Sequence, residues 1–98
     1  MSVTVTLADA EFRAVELLEV GDSAVLVLTA RRELVRIYYG RMRGFVPLHG
    51  PALQRGASPR SEHITRWRPL SRFPQGLVET QVDTLLAFYG QPRVDVRR

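Results

Sequence analysis

Arginine is the residue best suited to chemistry in this chain, and it is concentrated in one third of the sequence. All 14 basic residues are Arg, and residues 41–74 hold seven of them against the single acid Glu62, a net charge of +6. Residues 1–40 have a net charge of −2 and residues 75–98 have a net charge of zero, so the net charge of the whole chain is +4. Such a segment attracts anions through its summed field, but a solvated surface without a ligand has the same composition. The absence of Lys and Asn indicates GC-rich coding, which would enrich Arg without any function.

The candidate ligand-binding residues combine these arginines with an aromatic ring and the two histidines of the chain. A guanidinium group binds phosphate or carboxylate through paired N–H donors, and an aromatic ring stacks on a base. Arg66 and Arg68 are expected on one surface, facing away from Trp67, because side chains alternate along a predicted strand. The full candidate set is Arg36, Tyr38, Arg41, Arg43, His49, His63, Arg66 and Arg68.

Catalytic and metal-binding signatures are weak throughout the sequence. With no Cys and only His49 and His63, a metal site would need carboxylates such as Glu62 to complete its ligands. The serines near these histidines lack a nucleophile motif, and the glycines lack the spacing of a phosphate-binding loop. We therefore expect a non-enzymatic protein with no catalytic residues, no metal and no cofactor.

Length and composition predict a single domain over residues 1–98. A chain of 98 residues with 45% apolar content can bury one core. The opening residues show neither a basic leader nor a long apolar span, so we expect a cytoplasmic protein without a membrane segment.

The predicted fold is organised around the apolar run Ala24–Leu28. This run is apolar on both faces and too short for a globular helix, so it predicts a strand covered on both sides at the centre of a sheet. A second strand is predicted at residues 34–39 and a third at residues 45–48, whose Pro47 favours a sheet edge or a strand end. The short connections between these strands predict an antiparallel meander.

Residues 7–20 fit two structures. Asp9 is a suitable N-cap for a helix, but Leu17 and Val20 fall outside the apolar stripe of that helix, so an extended conformation fits equally. Residues 2–6, just before this segment, alternate between polar and apolar types, which predicts a half-buried strand.

Residues 49–62 form a predicted loop rich in Gly, Pro, Ser and Arg. Long loops without structure of their own are often functional, so this loop is the first place to look for a site. Residues 64–70 are predicted to resume as an extended strand that ends at a proline. Within it, Trp67 is expected to plug the core of the sheet in preference to stacking on a ligand.

Residues 77–89 carry an apolar stripe of helical period, and Gly90 provides a C-terminal stop. Residues 93–97 then alternate as a final strand. Val3–Thr6 and Val94–Arg97 are expected to be free sheet edges, and pairing of such edges between subunits predicts a homodimer or larger closed assembly. The predicted fold class is therefore α+β, a small antiparallel β-meander sheet with one C-terminal helix and terminal edge strands.

Four features of the sequence match the pattern of a known family. They are Phe12, Leu18, the run Val25-Leu26-Val27 and the segment Thr65-Arg66-Trp67-Arg68-Pro69-Leu70. In these features the chain resembles the small phage and prophage proteins grouped as domain of unknown function 551, which close on the pattern T-H-W-x-P-L-P. It departs from them where Phe12 replaces Trp, Glu19 replaces Pro, Arg66 replaces His and Ser71 replaces the last Pro. The resemblance covers residues 12–74 as a β-rich core, with residues 75–98 as a helix and strand extension. It implies a phage setting, and therefore the host cytoplasm, but no chemistry, since the family has no assigned activity.

Three functions agree with these features. The first is binding of an anionic ligand, for example a phosphorylated nucleotide signal of host defence that the protein would sequester. The second is a protein-binding inhibitor or assembly factor that contacts a host or virion protein through edge strands and a helix surface centred on Val78, Val82 and Tyr89. The third is weak binding of DNA or RNA. Salt dependence separates them, because binding through several phosphate contacts weakens steeply as salt rises and an apolar protein interface does not.

Overall fold

The computed structural model describes residues 2–98 of the chain. Its strands are β1 (Ser2–Leu7), β2 (Glu11–Val20), β3 (Ala24–Leu28), β4 (Leu34–Tyr38), β5 (Met42–Pro47) and β6 (Asp95–Arg97). Its helices are α1 (Ser61–Trp67) and α2 (Glu79–Tyr89), and two 3-10 turns cover Tyr39–Arg41 and Arg68–Leu70.

The six strands form one sheet in the order β5-β1-β2-β3-β4-β6. All neighbouring strands are antiparallel except β4 and β6, which run parallel. The α+β class is confirmed. The meander predicted for residues 24–28, 34–39 and 45–48 is confirmed for β3 and β4 only, because β5 pairs with β1 and not with β4. The expectation of a purely antiparallel sheet with a single C-terminal helix is wrong, because β6 pairs in parallel and α1 precedes α2.

The sheet is curled around one apolar interior. A three-residue turn, Tyr39–Arg41, connects β4 to β5, although three other strands lie between them in the sheet. Strands β1 to β5 all contribute to the same buried cluster, as expected when they face a common interior. Its members are Val3, Val5, Leu7, Val15, Leu17, Val20, Val25, Val27, Val35, Ile37, Met42, Phe45, Leu53 and Trp67.

The predicted central strand is confirmed as β3, which is covered on both faces. Val25 and Val27 point into the curled interior. Leu26 and Leu28 point outward into a second cluster, which α2 covers with Val82 and Leu86. Each face of β3 therefore buries apolar side chains, as its unbroken apolar run predicts.

The segment that fitted both a helix and a strand is the long strand β2. Its pairing with β3 shifts between Leu17 and Glu19, which marks a β-bulge. Because a bulge changes the face that later residues occupy, Leu17 and Val20 both point inward while Leu18 points outward. This shift explains why residues 7–20 show no regular period of two.

The predicted strand over residues 64–70 is wrong, since this segment is the end of α1 followed by the 3-10 turn Arg68–Leu70. The core role predicted for Trp67 is nevertheless confirmed. Its ring is fully buried, with its centroid 4.1 Å from that of Phe45, and its Nε1–H donates to the Pro51 carbonyl at 2.7 Å. The C-terminal residue of α1 therefore occupies the core position that the sequence assigns to a strand residue.

The prediction that Val3–Thr6 is a free edge of the sheet is also wrong. Strand β1 lies between β5 and β2, so the edges of the sheet are β5 and β6. Pro47 belongs to the edge strand β5, as predicted. The predicted helix over residues 77–89 is confirmed as α2, and Gly90 closes it in the left-handed conformation at φ 66°.

Leu26→Ala should lower the free energy of unfolding by about 2 to 5 kcal/mol, because it leaves a cavity between β3 and α2. Leu26 is 1% exposed in the outer cluster. Leu48→Ala is the matched control, since Leu48 is 71% exposed and its loss should cost less than about 0.5 kcal/mol. Urea denaturation of both variants measures the difference, and equal midpoints would show that the outer cluster contributes little.

Candidate functional site

The eight predicted ligand-binding residues do not converge on one site. Arg36 and Tyr38 lie on β4, on the face opposite to the curled interior. The other six are distributed over the 3-10 turn Tyr39–Arg41, the start of β5, the loop after β5, and α1 with its following turn. The prediction that Arg66 and Arg68 share a surface is wrong, because residues two apart on a helix point in different directions.

Three of the arginines predicted to bind a ligand are occupied by the protein itself. The Nη2 of Arg41 lies 3.2 Å from the Asp9 carboxylate, and its Nη1 donates to the Arg98 carbonyl at 2.8 Å. Arg43 donates to the Gly40 carbonyl at 2.9 Å. These guanidinium groups tie the 3-10 turn and the start of β5 to neighbouring backbone.

Arg68 fixes the turn between β2 and β3. Its Nε donates to the Val20 carbonyl at 3.0 Å, and its Nη2 donates to Asp22 at 2.9 Å. Arg66 is exposed and, among residues 2–98, forms no ion pair. The two arginines that the sequence treats as equivalent therefore have different roles, one structural and one open to solvent.

Arg36 and Tyr38 are half-buried on the outer face of the sheet. The Arg98 guanidinium lies 5.0 Å from the centre of the Tyr38 ring, within cation–π range. One face of the ring predicted to stack on a base is therefore already covered by an arginine of the same chain.

The two histidines are separated by the loop between β5 and α1. His49 is exposed in that loop. His63 lies on α1, where its Nδ1 accepts a hydrogen bond from the Arg60 backbone N–H at 3.0 Å and its ring lies 5.4 Å from that of Trp67. Because Nδ1 is an acceptor, the neutral ring carries its proton on Nε2, which is left as a donor.

A basic row runs along α1. His63 and Arg66 are three residues apart on α1 and are therefore neighbours on its surface, and Arg60 is the N-cap residue at the start of the helix. Neither arginine of the row forms an ion pair among the described residues 2–98, although Glu62 is four residues before Arg66. We name these three residues the α1 basic row.

The α1 basic row adjoins a hollow of 540 Å³, which we call the loop hollow. It is lined by Ala52, Leu53, Gln54, Ala57, Ser58, Pro59, Arg60 and His63. Ser58 and Arg60 were missed as site residues by the sequence analysis, although both belong to the loop that it singled out. Their signal was the clustering of Ser, Pro and Arg in a segment without periodicity.

A second hollow, of 430 Å³, opens between the first half of β2 and β6. Its apolar wall includes Phe12, Val15 and Val35, and its rim carries both signs of charge. The hydrogen bond from the Arg13 guanidinium holds the pKa of Glu11 below its ordinary value. A rim already neutralised by such pairs gives no preference for an anion.

Tyr39 is the first residue of the 3-10 turn Tyr39–Arg41, and its ring packs against the inner apolar cluster. Its hydroxyl donates to the Gly21 carbonyl at 2.7 Å, and burial raises the pKa of this hydroxyl well above its ordinary value of 10.0.

Within residues 2–98, no group of three or more His, Cys, Asp or Glu is placed to hold a metal ion. No helix of that same range has the length and apolar content to cross a membrane.

No family model matches the chain, and neither a curated protein nor a solved structure shows significant similarity to it. The resemblance to domain of unknown function 551 therefore stays a prediction.

Arg68→Glu should destabilise the fold by about 1 to 2 kcal/mol, because it removes the hydrogen bond to the Val20 carbonyl and places a carboxylate beside Asp22. Arg66→Glu makes the same charge change at an exposed position and should stay within about 0.5 kcal/mol of the parent protein. Thermal melts compare the two variants. Equal melting temperatures would show that the Arg68 contacts do not hold the β2–β3 turn.

Alkaline pH should destabilise the protein through Tyr39. Its pKa is raised on folding, so the stabilisation is complete below the unfolded value of about 10 and is lost as the pH rises above it. The chain has no Lys, so no amine side chain titrates in this range. Tyr39→Phe should flatten the decline in melting temperature between about pH 9.5 and 11. A decline that persists in Tyr39→Phe would assign the effect to other groups.

Proposed function

We propose that this protein binds an anionic ligand, a phosphorylated small molecule such as a nucleotide, at the α1 basic row and the loop hollow. The observation that carries the proposal is that Arg60 lines a 540 Å³ hollow with no carboxylate paired to it among residues 2–98, and that the N–H donor of His63 lies on the same hollow. Charged side chains that no internal partner neutralises are available to an external anion.

The chemistry of the row suits a phosphate group. The guanidinium groups of Arg60 and Arg66 offer paired N–H donors, and the His63 Nε2–H adds a directed donor between them. The Ser58 hydroxyl lies on the same hollow and can donate to a phosphate oxygen. Elsewhere in the chain five arginines are neutralised by carboxylates: Arg13 by Glu11, Arg41 by Asp9, Arg68 by Asp22, Arg72 by Glu16 and Arg97 by Asp95.

We further propose a non-catalytic role in a phage setting, in which the protein sequesters its ligand in the host cytoplasm. The support is the resemblance carried by Thr65–Leu70, together with the weakness of catalytic signatures in the sequence. A nucleotide signal of host defence is the ligand that this setting suggests.

Isothermal titration calorimetry with ATP and with inorganic phosphate tests the proposed site. Arg60→Glu and Arg66→Glu should each weaken ATP binding by about tenfold or more, since each removes a charge-assisted contact and introduces repulsion. Binding of ATP to the parent protein should also weaken as NaCl is raised, because salt screens exposed charges.

Arg93→Glu is the matched control, with the same charge change on the connection between α2 and β6, outside the α1 basic row and the loop hollow. It should retain the parent affinity. Equal losses in Arg93→Glu and Arg60→Glu would assign the binding to net charge alone. A parent protein that binds neither probe would overturn the site, and tighter binding of a single-stranded DNA oligonucleotide than of ATP would favour the weak nucleic-acid function.

A protein-binding function is the second candidate, and exposed apolar side chains on α2 favour it. Phe88 is 73% exposed and Val78 is 61% exposed. Val82 and Tyr89, which the sequence analysis placed on the same contact surface, belong instead to the outer cluster or pack against it. The candidate protein contact on α2 therefore reduces to Val78 and Phe88.

A further inference from the structure

Of the two edges of the sheet that residues 2–98 form, only β6 is open for pairing. The outer side of β5 is occupied by the loop after it, since the Leu53 N–H donates to the Phe45 carbonyl and the Gly56 N–H to the Arg43 carbonyl, both at 2.8 Å. Pro47, at the end of β5, has no N–H to offer. An additional strand has to pair with β6 if it is to join this sheet.

The direction of the β6 backbone groups follows from β4. The side-chain amide of Gln91 forms the two hydrogen bonds to Leu34 that the backbone of an adjacent strand would form. Its Oε1 accepts from the Leu34 N–H at 2.6 Å, and its Nε2 donates to the Leu34 carbonyl at 3.0 Å. Leu34 and Arg36 therefore both direct their backbone groups toward β6, because alternate residues of a strand share one edge. With Arg36 in register with Val96, the flanking residues Asp95 and Arg97 bond back to β4.

The backbone groups of Val94 and Val96 consequently point away from the sheet. A hollow of 550 Å³ is lined by the same segment, Gln91–Val96. The Val96 side chain is 40% exposed. Unpaired backbone groups beside an exposed β-branched side chain are the features of an edge that accepts another strand.

We propose that the strand it accepts is β6 of a second copy of this chain, antiparallel, with a two-fold axis at Val96. In this arrangement Val96 exchanges both backbone hydrogen bonds with Val96 of the second copy, and the two side chains pack against each other. The two sheets then continue into one another across the axis.

The charges of β6 select this register. With the axis at Val96, Asp95 lies opposite Arg97 of the second copy, and Arg97 lies opposite its Asp95, in the close non-hydrogen-bonded pairs. Within one chain the same two side chains already attract, at 3.2 Å, so the dimer joins two ion pairs into an alternating group of four charges.

Neighbouring registers are less favourable. An axis at Asp95 would place the two Asp95 carboxylates opposite each other and Arg93 opposite Arg97, which repel. An axis at Val94 would pair Val96 with Pro92, which has no N–H. The chain also bends at residues 92 and 93, so the extended stretch available for pairing is centred on Val96.

Sedimentation velocity over a concentration series tests the proposal with two charge reversals. Asp95→Arg places Arg opposite Arg, and Arg97→Asp places Asp opposite Asp, so each variant alone should raise the dimer dissociation constant by about tenfold or more. An equal mixture of the two variants restores opposite charges at both pairs of a heterodimer. It should therefore recover the parent dissociation constant.

Val96→Pro supplies a second measurement that does not depend on charge. It removes an N–H that points away from β4, so the β4 ladder is kept while the bond to the second copy is lost. The variant should retain the parent circular dichroism spectrum and sediment as a monomer. A parent protein that is monomeric throughout the series overturns the proposal. So do single reversals that dimerise like the parent, or a mixture that stays as weak as its components.

Discussion

The three-residue turn Tyr39–Arg41 is the constraint on which the rest of the domain depends. In a flat sheet, β4 and β5 would lie about 19 Å apart, given four strand spacings of about 4.8 Å. Four Cα–Cα steps from Tyr38 to Met42 reach at most about 14 Å, and a 3-10 turn reaches less. The sheet therefore has to curl. This curl is what gives five strands a common interior and separates it from the outer face that α2 covers.

Hydrogen bonds from two aromatic residues, the half-buried Tyr39 and the buried Trp67, connect separate elements of the curled sheet and its loop. The Tyr39 hydroxyl ties the turn to the β2–β3 connection through the Gly21 carbonyl, and the Trp67 Nε1–H ties α1 to the loop through the Pro51 carbonyl. Because the Trp67 ring packs against Phe45, the end of α1 is anchored to the interior. Leu53 anchors the loop in the same way, while most of the other residues between Ala52 and Glu62 are exposed. The loop hollow lies in that surface segment, so its position follows from the packing of the core.

The sequence predicts this fold where the information is local and fails where it is not. The run Ala24–Leu28 identifies its own strand because both of its faces are apolar. In β2 the bulge between Leu17 and Glu19 breaks the period of two. Residues 64–70 have strand-favouring side chains, yet they form the end of α1 and a 3-10 turn, with Trp67 packed in the core. For the candidate site, His63 and Arg66 belong to the α1 basic row and remain predicted ligand contacts. Arg41 and Arg68 bind acids 32 and 46 positions away, which no local pattern reveals.

These long-range ion pairs reduce the part of the positive charge of residues 41–74 that is available to an external anion. The basic excess of residues 41–74 coexists with an acidic first third, and folding brings the two together: Arg41 meets Asp9, Arg68 meets Asp22 and Arg72 meets Glu16. Three of the seven arginines in that segment are thereby neutralised, and with Glu62 counted the remaining excess is +3. The four arginines that remain are Arg43, Arg55, Arg60 and Arg66, and Glu62 offsets part of the charge at α1. The field that an anion meets is therefore smaller than the sequence suggests, and a weak, screened field favours a compact ligand over a long polyanion.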